Sequence, residues 1–167
     1  MRKKRFLFIV ITAVIVIFGI LGLNYVRNMQ LAQFTEDGQL LYSWSPIQVY
    51  LKDGNYVIAV IENQKTVKGV EFSPDRQVLQ TIGIDPVEVT DISRFLNKTL
   101  DEIEAELGPY HIDIGSGHFM PSYFTADGYF VCFTFIHSKE TSRHVSKMDL
   151  FTNDSVEWYF ADSPSNT

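Results

Sequence analysis

With 167 residues the chain has room for one compact domain beside an N-terminal segment of about 25, and a hydrophobic share of 46% with 13 Phe and 8 Tyr excludes wholesale disorder. The formal charge of −6 is unevenly spread: Arg2, Lys3, Lys4, Arg5 and Arg27 flank the first apolar stretch, and from position 28 onward nine basic residues meet twenty acidic ones, a net −11. That balance argues against nucleic acid and for a basic peptide or cation as partner, while the single Cys132 excludes an internal disulfide and any thiolate metal cluster.

Residues 1–5 read as a cytoplasmic basic tail. From Phe6 to Leu23 no residue is charged and the only hydroxyl is that of Thr12. As a helix the segment 6–26 spans roughly 31 Å, about one hydrocarbon thickness. The basic cluster before it places the N-terminus in the cytoplasm and everything after it outside the cell membrane. A cleaved signal peptide fits less well, because the apolar run is long and no pair of small residues follows it at a cleavage position. The expectation is a single-span signal-anchor helix, followed by a juxtamembrane stalk over 27–45, partly helical at its start, and an extracytoplasmic domain over 46–162.

Within that domain the apolar period is first that of strands. Ile47–Leu51 and Tyr56–Ile61 flank Asp53-Gly54, a pair suited to the positive φ angles of a two-residue hairpin turn. Thr66–Phe72 and Gln77–Ile82 alternate in the same way around the turn Ser73-Pro74-Asp75-Arg76. The period then changes. Thr99 and Glu102 form a capping box, Leu100, Ile103 and Leu107 share one face, and Gly108-Pro109 ends the helix. Further strands are predicted at Phe119–Phe124, Tyr129–Ile136, Val145–Leu150 and Val156–Phe160, before a disordered tail at 163–167. The predicted class is α+β: an N-terminal transmembrane helix, then an antiparallel sheet with one short covering helix.

The run Leu96-Asn97-Lys98-Thr99-Leu100-Asp101-Glu102-Ile103-Glu104-Ala105-Glu106-Leu107-Gly108-Pro109, with the Gly-rich loop and two aromatic strands after it, resembles the small α+β repeat of the SmpA/OmlA-like lipoproteins and the β-lactamase inhibitor-like fold. The resemblance covers about 96–150. It implies a helix packed on an antiparallel meander and a non-enzymatic protein-binding role outside the cytoplasm. The chain departs from that family in lacking a lipid-bearing cysteine after its apolar segment.

Asp113-Ile114-Gly115-Ser116-Gly117-His118 puts an acid, a hydroxyl and an imidazole within six residues, but the Gly-x-Ser-x-Gly elbow is absent and sequence neighbours on an extended loop point apart. His111, Asp113 and His118 have no recognised metal-ligand spacing, and nothing in the sequence marks a cofactor site. The residues expected to carry binding are Tyr110, His111, Asp113, Ser116, His118, Phe119 and Tyr123, aromatic contact area around a glycine-rich loop. The expected function is a membrane-anchored, extracytoplasmic protein- or envelope-binding module. The alternative is an enzyme or small-ligand sensor using the Asp113–His118 loop.

Overall fold

A computed structural model of the chain describes residues 12, 16–17, 19–23, 25–26, 29–115, 118–135 and 141–161. Among the described residues ten strands follow one another as β1 (Gln39–Trp44), β2 (Ile47–Lys52), β3 (Asn55–Glu62), β4 (Lys65–Phe72), β5 (Val78–Ile82), β6 (Ile112–Asp113), β7 (Pro121–Phe124), β8 (Tyr129–Thr134), β9 (His144–Asp149) and β10 (Ser155–Phe160). A 3-10 turn (Ser93–Phe95) and the helix α1 (Leu100–Leu107) lie between β5 and β6. The strands form two five-stranded antiparallel sheets, β1 to β5 and β6 to β10, each a meander in which every strand pairs with its neighbours in sequence.

The hairpin turns explain that order. Asp53 and Gly54 both take positive φ, as do Asn63 and Gln64, so two-residue turns link β2 to β3 and β3 to β4. Side chains along β3 then alternate. Ile58 and Val60 point into the space between the two sheets, where they meet Phe124, Phe130, Cys132 and Leu150, whereas Val57 points to the outer face. On the outer face of the second sheet Ile103 of α1 meets Tyr123, Val131, Phe133 and Val145, and Thr99 and Glu102 form both bonds of the predicted capping box. The architecture is therefore two stacked sheets with helical cover on each outer face.

The single sheet and single cover expected from sequence need correction. The segment 27–45, read as a stalk, contains β1 and helical residues 29–34, whose Leu31 and Phe34 are buried against Val57 and Ile82 of the first sheet. Lys52 Nζ donates to the Gln33 carbonyl at 2.6 Å, which satisfies an acceptor at that helix end. Among the described residues no helix is long and apolar enough to cross a membrane, and much of the predicted anchor 6–26 lies outside them, as do the basic tail 1–5 and the tail 163–167.

Gly69 lets this cover approach. A Cβ there would stand 2.4 Å from the Phe34 ring and 3.2 Å from the Ile58 carbonyl oxygen. Gly69→Val should expel Phe34 and forfeit about 2 kcal/mol of its burial. The measurement is hydrogen exchange: faster exchange at 29–34 with the amides of β3 and β8 unchanged is expected, and unchanged protection at 29–34 would refute the contact.

Candidate functional site

The predicted loop starts where α1 stops. Gly108 has φ 79° and donates its N–H to the Glu104 carbonyl at 2.9 Å, and Pro109 turns the chain toward β6. The buried Tyr123 donates its hydroxyl to the Gly108 carbonyl at 2.9 Å, tying the helix end to the sheet, and burial raises its pKa well above the usual phenol value. Tyr110 and Phe119 meet edge to face at 5.7 Å, and Phe119 packs on Phe135. Asp113 Oδ1 accepts the N–H groups of Gly115 and Met120, each at 3.0 Å, so its carboxylate holds the two sides of the loop together. His118 is exposed, and Ser116 lies outside the described residues.

His111 is the most committed of the seven. Its Nδ1 accepts the Phe124 N–H at 2.9 Å, which puts the ring proton on Nε2, and the ring also bonds the Asp85 backbone. Burial pushes its pKa down to about 4, and the Lys68 ammonium, which donates to the His111 carbonyl at 2.6 Å, acts in the same direction. The structure brings Tyr110 and His111 to one cleft of about 430 Å³ with Lys68, Asp85 and Leu107, while Tyr123 serves the core. Among the described residues no group of three His, Cys, Asp or Glu side chains is placed to hold a metal ion.

A second cleft, of about 540 Å³, runs past Arg76, Glu88 and Asp127. Arg76 was legible only as a turn residue, yet its guanidinium lies 4.8 Å from the Tyr129 ring centre and 4.5 Å from that of Phe151. It pairs with the buried Asp149 at 2.6 Å, a link between the two sheets. The Asp149 carboxylate also accepts the Phe151 N–H at 2.8 Å. Arg76, Asp149, Tyr129 and Phe151 are thus all engaged in holding the sandwich closed.

The most exposed aromatic side chains of the sheets lie on β10. Tyr42 of β1 reaches the Leu150 carbonyl beyond β9, and Lys68 of β4 reaches His111 before β6, so the sheets are stacked with an offset. None of the β10 side chains joins the core between the sheets. Trp158 pairs with Ser146, itself opposite the core residue Cys132, so its ring lies on the face turned toward the first sheet. Trp158 is 58% exposed, Phe160 65% and Val156 47%. Phe160 stacks on His144 at 4.4 Å, which leaves its other face open.

No family model matches the chain, and it is significantly similar to no curated protein and no solved structure. The site therefore stands on its own geometry. Sequence reasoning found β10 as a strand and missed it as a surface. The available signal was Trp158-Tyr159-Phe160, three aromatics in succession where a half-covered strand would alternate with polar residues.

Proposed function

We propose that the chain is a membrane-anchored, extracytoplasmic protein-binding module whose contact surface is the β10 edge. The observation that carries this reading is the exposure of Trp158 and Phe160, with Val156 beside them, on a strand whose outer side pairs with no other strand among the described residues. A free edge gives a partner backbone hydrogen bonds, and adjacent apolar side chains give it area. The uncharged stretch 6–23 after a basic cluster supports anchoring, and residues 16–17, 20–21, 23, 25–26 and 29 all present large apolar side chains outward. The resemblance of 96–150 to SmpA/OmlA-like repeats, a helix followed by an antiparallel meander, supports a binding role over catalysis. The alternative of an enzyme or ligand sensor at the Asp113–His118 loop has less behind it, because Asp113 Oδ1 already serves two backbone N–H groups.

The test uses the full chain in intact cells. It should sediment with membranes, and a photoreactive residue in place of Trp158 should give a protein adduct that the same residue in place of Asp101, on the exposed face of α1, does not. A chain left in the supernatant without detergent, or adducts no stronger from 158 than from 101, would end the reading.

A further inference from the structure

We infer that the β10 edge docks a second copy of this chain, β10 against β10, about a twofold axis at Trp158; this rests on the binding role proposed above. The backbone sets the possible registers. Ala161 donates its N–H to the Arg143 carbonyl at 2.9 Å, so by alternation Glu157 and Tyr159 turn their backbone groups toward β9, whereas Trp158 and Phe160 turn theirs outward. An antiparallel partner must match outward residues with outward residues.

With the axis at Trp158, that residue faces its own copy and Glu157 faces Tyr159 of the second copy. A phenol opposite a carboxylate is a donor opposite an acceptor, the same pairing that Tyr159 and Glu157 make along their own strand at 3.3 Å. One step toward the N-terminus would set Glu157 against Glu157, and one step the other way would set it against Ala161, which offers its carboxylate no side-chain donor across the edge. The strand is thus self-complementary in one register, as a twofold interface requires. Glu157 is the only charged residue of Ser155–Phe160, so the edge offers a basic peptide little despite the acidity of the body. The irregularity between Ser155 and Glu157 sits at one end and leaves 157–160 regular.

The layers agree with a shared membrane. A twofold axis normal to the sheet maps each of its faces onto itself, so both copies keep helical residues 29–34 on the same side of the joined ten-stranded sheet. Two anchors can then enter one bilayer, where confinement raises the effective concentration of a short edge contact.

The test is made on the full chain in lipid nanodiscs that hold several copies. Glu157→Cys and Tyr159→Cys carry different tags and are mixed under mild oxidant. Residues opposite each other at a non-hydrogen-bonded position lie about 4.5 Å apart, within disulfide reach. The mixture should give several-fold more cross-linked dimer than either variant alone. Cys132, its thiol pushed up to about 12 by burial, supplies the background. In detergent the wild type should have twice the protein mass of Trp158→Lys/Phe160→Lys, whose fold is checked by circular dichroism. A monomeric wild type, or equal yield from Glu157→Cys alone, would overturn the inference. If position 158 still captures a different protein in cells, the docking role survives and only the second copy falls; if it captures nothing, both fall.

Discussion

Phe130→Ala should cost about 3–5 kcal/mol, a large part of the roughly 5–15 kcal/mol that holds a domain of this kind folded. Phe130 is fully buried between the sheets, with the Trp44 ring 5.2 Å away on one side and the Phe124 ring 4.9 Å away on the other. Removing the ring leaves a void walled by side chains from both sheets, and neither sheet can close it without giving up its own pairing. Thermal unfolding followed by circular dichroism should show a midpoint lower by roughly 10–15 °C. Phe160→Ala is the matched control: the same change, in the same sheet, on an exposed side chain, should cost less than about 1 kcal/mol. Equal losses in the two variants would mean that the sheets do not pack face to face.

Stability should also fall by roughly 2–3 kcal/mol as the pH drops from about 6.5 to about 4. His111 drives this. In the folded chain its imidazole stays neutral down to about 4, while in the unfolded chain it takes up its proton near the ordinary value of 6.5. The folded state therefore binds fewer protons between those limits, its advantage is complete above the upper one, and the loss levels off below the lower one. Protonation would also turn Nδ1 into a donor facing the Phe124 N–H. The partial exposure of the ring to its cleft keeps the magnitude below the full linkage value. His144, whose pKa burial also lowers, adds in the same sense, whereas the lowered carboxylate pKa values of Asp91 and Glu102, set by hydrogen bonds, act only in more acidic solution. Urea unfolding of His111→Leu should show a flatter profile across this window and lower stability at neutral pH, because the Phe124 N–H loses its acceptor. A profile as steep as that of the wild type would remove His111 from the account.

Local chemistry made much of the fold legible. Asp53-Gly54 and the Thr99–Glu102 box carry their geometry in the residue types themselves, and the first four predicted strands match β2 to β5 closely. β1 was hidden because Leu40-Leu41-Tyr42 does not alternate, and its pairing with β2 has an irregular step there. The second sheet face and the cover at 29–34 depend on Gly69 meeting Phe34, a contact 35 positions apart that no local pattern encodes. The engagement of the predicted loop residues was hidden for a similar reason: the partners of Asp113, His111 and Tyr123 are the backbone groups of Gly115, Met120, Phe124 and Gly108. β10 was missed because exposure depends on how far one sheet overhangs the other.

The chain passes twice through the same sequence of shapes, helical cover and then five strands, joined by the linker around Val87, which hydrogen-bonds to Phe124 and Ala126. Neither pass can shield its inner residues without the other, since Ile58 and Phe130 are buried only where the two meet. Severing the peptide near residue 85 would yield fragments that aggregate when made separately and reassemble when made together. A gene interrupted at that point would still yield the whole shape, provided that both pieces reached the same side of the membrane.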